Sequence, residues 1–332
     1  MAPNATILGG IGGTRLTAAE RDFFRAADPW GFILFGRNVD HPDQLRRLTG
    51  DLREAVGRDA VVTVDQEGGR VQRLCAPHWT DWPAPLDQAA AGPRAMWLRY
   101  HLIGQELRAV GIDSNCAPTL DVAQAQTHPF LRNRCLGSDP ATVAVLGRAA
   151  AEGMLAAGVL PVVKHLPGHG RAVADSHHGL PVVTASMADL DAIDFAPFRA
   201  LNDLPMGMTA HVRFAALDDA PATASPRMIA LIRERIGFDG LLMTDDITMN
   251  ALSGTEAERA AAALAAGCDL VLHCNGTLAG MEPVVAAAGP LSPAAQRRSD
   301  AALARRGPPA GPDPAALMAE WRGLTTAAAR LA

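Results

Sequence analysis

Short apolar, β-branched runs recur along this chain, separated by longer stretches that are amphipathic at helical spacing or rich in alanine. The runs at Thr6–Gly10, Gly31–Phe35, Ala60–Val64, Ile112–Ala117, Val159–Val163, Met206–Thr209, Leu241–Thr244 and Asp269–His273 predict strands. The stretches Pro42–Val56, Pro93–Val110, Ala141–Ala157, Pro226–Ile236 and Glu256–Ala266 predict helices. Strand alternating with helix argues for a parallel sheet, because parallel strands need long crossovers. Eight such strands point to an α/β fold, a TIM-type (β/α)8 barrel with irregular strands toward the N-terminus. A doubly wound open sheet is the other arrangement the pattern allows. Gly9-Gly10-Ile11-Gly12-Gly13 lacks the spacing of a dinucleotide fingerprint and reads as a loop.

The polar residues able to do chemistry stand just after the apolar runs. In a barrel those ends share one face, where catalytic loops belong. The third run is followed by Asp65-Gln66-Glu67-Gly68-Gly69-Arg70-Val71-Gln72-Arg73. The fourth is followed by Asn115, then Asp121, and later Asn133-Arg134. Lys164 and His165 follow the fifth, His211 the sixth, and Asp245-Asp246 the seventh. The densest stretch is Lys164-His165-Leu166-Pro167-Gly168-His169-Gly170, with Asp175-Ser176-His177-His178-Gly179-Leu180-Pro181 close behind. It reads as a Gly/Pro-punctuated loop that holds four of the ten histidines. Taken singly, each group has a bland explanation: a carboxylate capping a helix, an arginine in a surface pair, a loop-stabilising Asp-Ser-His hydrogen bond. A ring of mixed-sign polar groups on one face is a site.

Composition narrows the class. At 332 residues, 48% hydrophobic and 20% charged, the chain can bury a large core and is not disordered. It reads as a single domain, 1–332, with the Ala/Pro/Arg-rich stretch 289–332 as a peripheral helical tail. A formal charge of −5 and the lack of a basic stripe interleaved with aromatics argue against a nucleic-acid partner. Five cysteines without CxxC spacing argue for reduced thiols. The N-terminus carries no signal pattern, and no apolar stretch is long enough to span a bilayer. A cytoplasmic protein with no membrane partner is expected. His165 and His169 have i,i+4 spacing, but Pro167 and Gly168 oppose the helix that would make them a metal pair, so no metal and no cofactor are expected. A Schiff base on Lys164 is the other chemistry a barrel of this kind allows.

Asp65-Gln66-Glu67-Gly68-Gly69-Arg70, Lys164-His165-Leu166-Pro167-Gly168-His169-Gly170, Asp175-Ser176-His177, Thr209-Ala210-His211 and Thr244-Asp245-Asp246-Ile247-Thr248-Met249 together resemble glycoside hydrolase family 3. More narrowly they are similar to its β-N-acetylhexosaminidase branch of single-domain bacterial enzymes. The likeness runs in order from about Trp30 to Cys274. It departs mildly: leucine at 166 where phenylalanine is usual, Thr-Asp-Asp-Ile where Ser-Asp-Asp-Leu is common, and an extra His178-Gly179.

The resemblance implies a retaining exo-β-N-acetylglucosaminidase. Retaining hydrolysis needs a nucleophile below the anomeric carbon and an acid above the glycosidic oxygen. The resemblance makes Asp245 the nucleophile, kept ionised by cations such as Lys164. Its neighbour Asp246 points to the opposite face of an ideal strand. The acid/base is implied to be His177 paired with Asp175, whose carboxylate favours the imidazolium. The loop 167–181 is expected to close over the substrate. Asp65, Arg73, Arg134, Lys164 and His165 are implied to line the sugar subsite, with His211 a further candidate for substrate binding or a supporting group and His169 holding the loop. The implied substrate is a small carbohydrate or muropeptide, N-acetylglucosamine on anhydro-N-acetylmuramic acid, met by a monomer in peptidoglycan recycling. Phosphorolysis by the same residues is the alternative, since a histidine acid/base does not repel an incoming phosphate.

Overall fold

The chain, described by a computed structural model over residues 2–174, 176, 179–308 and 313–330, is built on parallel strands. In chain order they are β1 (Asn4–Leu8), β2 (Pro29–Leu34), β3 (Val61–Val64), β4 (Ser114–Asn115), β5 (Leu160–Leu166), β6 (Val182–Val183), β7 (Met206–Thr209), β8 (Arg213–Phe214), β9 (Leu241–Asp246) and β10 (Leu270–His273). Eight of them form one sheet in the order β3-β2-β1-β10-β9-β7-β5-β4. The two ends of that order meet. The Asp113 amide donates to the Val62 carbonyl at 3.0 Å and the Cys116 amide to the Val64 carbonyl at 2.9 Å. This closure makes the (β/α)8 barrel and rules out the open sheet; β6 and β8 pair separately beside it.

Strand parity explains both core and site. Alternate residues of each strand face the barrel axis. Ile7, Ile33, Val61, Cys116, Leu160, Val162, Met208, Leu241, Met243 and Leu272 form one buried cluster there. The opposite set, including Leu8, Phe32, Val62, Val64, Val163 and Leu242, packs outward in the cluster shared with the helices. Continuing the inner set upward by two residues changes its chemistry: Val61, Thr63, Asp65; Leu160, Val162, Lys164; Leu241, Met243, Asp245. The apolar filling stops, and a charged layer begins at the C-terminal mouth.

The helices between strands carry their own start and stop signals. Thr17 with Glu20 and Thr255 with Glu258 make capping boxes, each satisfying orphan amides at a helix start. Gly57 ends helix Pro42–Val56 at φ 65°. No helix among the described residues is long and apolar enough to cross a membrane.

Three expectations need correcting. The fourth strand is only Ser114–Asn115, because Pro118 has no amide to donate; Ala117 and Pro118 still accept from Val162 and Lys164, at 3.0 and 3.2 Å. The fifth strand runs on to Leu166, so Lys164 and His165 belong to the strand and not to the loop. Their polarity reads as loop, but Leu166 still pairs with Thr209 of β7. The stretch after Gly289 is not wholly peripheral. Helix Pro293–Leu303 seals the bottom of the barrel, with Leu291, Ala295 and Ala302 in the interior cluster and Ser299 accepting the Trp30 indole N–H at 2.7 Å. Helix Pro314–Ala329 lies outside, with Trp321 edge-on to Trp82.

Candidate active site

The loop after β3 is folded by its own side chains. The Gln66 Oε1 accepts the Arg73 and Leu74 amides at 2.9 and 3.1 Å, and its Nε2 donates to the Leu74 carbonyl at 2.8 Å. Gly68 sits at φ 103°, and a Cβ there would fall 2.0 Å from Arg99 Nη2 and 2.6 Å from the Pro83 carbonyl. Arg99 is fully buried and ties that carbonyl to the Glu67 carbonyl, at 2.6 Å each. Gly68→Ala is therefore expected to lose roughly 3 kcal/mol or more, from an unfavourable backbone and a clash with a fixed guanidinium. Thermal unfolding checks this; an unchanged midpoint would refute it.

So held, the loop buries Glu67 beneath the pocket that Asp65 lines. Glu67 is 1% exposed and takes Arg134 through Nε at 2.9 Å and Nη2 at 2.8 Å, and Lys164 Nζ at 2.6 Å. Asp65 takes Lys164 Nζ at 3.0 Å and Arg73 Nη2 at 3.2 Å. The result is a chain of alternating charge, Arg134–Glu67–Lys164–Asp65–Arg73. Burial alone would push both carboxyls up; Arg134 and Lys164 outweigh it and hold Glu67 near 2. Asp65 is likewise held below the usual range, burial being outweighed by Lys164 and Arg73. For Lys164, burial favours the neutral amine, yet Glu67 and Asp65 keep it firmly protonated.

Across the mouth, β9 presents two neighbouring aspartates with different surroundings. Asp246 accepts the Thr248 amide at 3.0 Å, the Thr248 hydroxyl at 2.7 Å, the Cys274 amide at 3.1 Å and Asn275 Nδ2 at 3.4 Å. Its oxygens serve the fold. The Asp245 carboxylate accepts, among the described residues, the Asp246 amide at 2.7 Å. Burial would raise its pKa, but His211, His165 and Lys164 nearby hold it below the usual carboxylate range.

The histidines separate by role. His165 Nδ1 lies 2.7 Å from the Asp121 carboxylate. His169 donates its amide to the same carboxylate at 2.6 Å, and burial beside His165 pushes its ring down to about 4. His211 is fully buried, its Nε2 on the Asp246 carbonyl at 3.0 Å and its Nδ1 on the Thr223 hydroxyl at 2.7 Å. It does not line the pocket, and both ring nitrogens are occupied by protein. The substrate-lining role is corrected to one of support beneath β9. Among the described residues no group of three or more His, Cys, Asp and Glu side chains is arranged to hold a metal.

Asp65, Arg73, Arg134, Lys164, His165 and Asp245 line one cavity of about 380 Å³ at the C-terminal mouth, within the range of small-molecule sites. Asp175 and His177 lie outside the described residues; Ser176, between them, lines the same cavity. Glu67 and Asp121 stand in the ring of strand-end groups with no role that the sequence assigns them, and Asp246 is there set aside for Asp245. Asp121 had a signal, since a carboxylate between Leu120 and Val122 in an apolar setting is a buried one in search of a partner.

The Glycosyl hydrolase family 3 N terminal domain matches residues 15–305. The chain is 38% identical over 288 residues to a β-hexosaminidase of Bordetella avium, covering 83% of this chain and 82% of that protein. It is 40% identical over 272 residues to a β-hexosaminidase of Pseudomonas aeruginosa, covering 80% and 81%. The crystal structure of native NagZ from Neisseria gonorrhoeae superimposes with a TM-score of 0.83 at 30% identity, over 100% of this chain and 98% of that one. A glycoside hydrolase family 3 β-N-acetylglucosaminidase from Paenibacillus superimposes at 0.86 and 31%, over 97% of this chain and 68% of the other.

Proposed function

The chain belongs to glycosyl hydrolase family 3, and from that premise we propose that it is a retaining exo-β-N-acetylglucosaminidase with Asp245 as its nucleophile. One observation carries the reading: of two adjacent aspartates at the pocket, Asp246 is consumed by four protein donors while Asp245 stays ionised and open to a substrate. In the first step an Asp245 oxygen bonds to the anomeric carbon as the bond to the aglycone oxygen breaks. The departing oxygen takes a proton from the imidazolium of His177, which Asp175 supports. In the second, the neutral imidazole takes a proton from water, whose oxygen displaces Asp245 from the sugar. The Asp-Ser-His sequence supports this dyad, as does Ser176 at the cavity wall.

The sugar subsite follows from unused valences. Asp65 receives one bond on each oxygen from Lys164 and Arg73, which leaves lone pairs for two sugar hydroxyls. Lys164 spends two of its three N–H bonds on Asp65 and Glu67, and Arg134 spends Nε and Nη2 on Glu67; their remaining donors suit hydroxyl and amide oxygens. His165 adds its second ring nitrogen. The substrate is N-acetylglucosamine on anhydro-N-acetylmuramic acid, with or without peptide, in peptidoglycan recycling. The supports for it are the likeness to the β-hexosaminidases and the sequence pattern. The chain acts as one catalytic unit, a cytoplasmic monomer.

The test compares an aryl β-N-acetylglucosaminide with the matching β-glucoside, in wild type and His177→Ala. Strong preference for the N-acetyl sugar and a loss of about 10²–10⁴-fold in the variant are expected. Equal rates on both sugars would end the N-acetyl assignment, and undiminished turnover by the variant would end the acid/base role. Release of sugar 1-phosphate only in phosphate buffer would mean phosphorolysis.

A further inference from the structure

Asp121 stands after β4, carries no exposed surface and is assigned no part in the chemistry above. A carboxylate in that position is costly unless it is bonded on every side. Its Oδ2 lies 2.7 Å from His165 Nδ1, and its Oδ1 accepts the His169 amide at 2.6 Å and the His165 amide at 3.4 Å. Although burial would push its carboxyl up, His165 and His169 hold it below the usual range. The proton between Asp121 and His165 therefore resides on the ring nitrogen. His165 lines the cavity, and among the described residues its Nε2 is the nitrogen left for a ligand.

From this geometry we infer that Asp121 is a positioning residue: it fixes the ring proton of His165 on Nδ1, so that the ring in its neutral form offers the sugar a lone pair on Nε2. A hydrogen-bond acceptor at that point selects a substrate hydroxyl, where the opposite tautomer would present N–H to another donor. The same carboxylate clamps the amides at both ends of the 165–169 turn, so one buried anion sets the ring's direction and its polarity together. The inference rests on the proposed sugar subsite only in having His165 face substrate.

Asp121→Asn separates polarity from packing. The amide oxygen can still accept the His169 amide, so the turn keeps its bond. The NH2 group, however, donates toward His165 Nδ1 and drives the ring proton to Nε2, as in the wrong-tautomer asparagine variant of the serine protease triad. Nitrogen-15 NMR of histidine-labelled protein, with the ring neutral, reads the tautomer directly. The wild type is expected to show Nδ1–H at His165 and the variant Nε2–H. The variant's kcat/KM on the aryl N-acetylglucosaminide is expected to fall roughly 10²-fold with circular dichroism unchanged. An Nε2–H signal for His165 in wild type would overturn the inference whether or not the variant folds. So would a folded variant whose kcat/KM stays within about twofold of wild type. Absence of wild-type turnover on that substrate would instead count against the proposed function, leaving the tautomer to be read independently.

Discussion

Asp245→Asn is expected to lower kcat/KM on an aryl β-N-acetylglucosaminide by about 10⁴-fold or more while leaving the fold intact. The amide is nearly isosteric, and its oxygen can still accept the Asp246 amide, the carboxylate's one bond among the described residues. What disappears is the anion that bonds to the anomeric carbon. The charge is held by His211, His165 and Lys164 more strongly than burial opposes it, so its loss lowers stability at neutral pH, and the melting temperature should fall slightly. Asp246→Asn should do the reverse. An amide cannot serve all of the donors now bonded to that carboxylate, the Thr248 amide and hydroxyl, Cys274 and Asn275. One orphaned buried donor costs about 1–3 kcal/mol, which appears as a lower midpoint before it appears in chemistry. Kinetics and melting curves on both variants decide the matter. A stable, inactive Asp246→Asn beside an active Asp245→Asn would transfer the nucleophile's role to residue 246.

Eight apolar runs at regular intervals were enough to read the barrel, because the inner and outer faces of a parallel strand are both apolar and stand out from amphipathic helices. The limits of those runs were less legible, for a physical reason. At the C-terminal mouth the same strand continues with charged residues, so the apolar pattern ends β5 at Val163 although Lys164 and His165 extend it. The cavity-lining Asp65, Lys164 and Asp245 follow from parity once the strands are placed. Glu67 does not follow. It lies past the strand, and the Gln66 bonds, the Arg99 bond to its carbonyl and the two positive-φ glycines turn it back beneath Lys164. Distances between loops escape sequence reasoning in the same way: Asp121 and His165 are 44 residues apart and meet only because β4 and β5 are neighbours. His211 shows the opposite error. A strand-end histidine looks like a ligand for substrate, yet this one spends both nitrogens on Thr223 and the Asp246 backbone.

Removal of the Glu67 charge is the second large effect. Its carboxylate is buried against Arg134 and Lys164, so Glu67→Gln leaves two cations sharing fewer counter-charges in a dry place. Breaking a buried pair on one side costs about 3–5 kcal/mol. Activity should fall as well, because Lys164 is then drawn toward Asp65 alone and the sugar-facing donors lose their geometry. The acid limb of stability isolates the cause. The folded-state pKa of Glu67, near 2, lies below its ordinary 4.5. A group depressed in this sense binds its proton more readily when unfolded, so its contribution is complete above 4.5 and is lost as pH falls through that value toward 2. The interval corresponds to about 3 kcal/mol. Asp65, Asp121 and Asp245 are depressed too, but they are common to both proteins and largely cancel in the difference. Urea unfolding at a series of acid pH values should show wild type losing its advantage across that window, with the two curves converging near its lower edge. Parallel curves would mean that the ionised Glu67 contributes nothing to holding Lys164 and Arg134 in place, and that their alignment comes from packing alone.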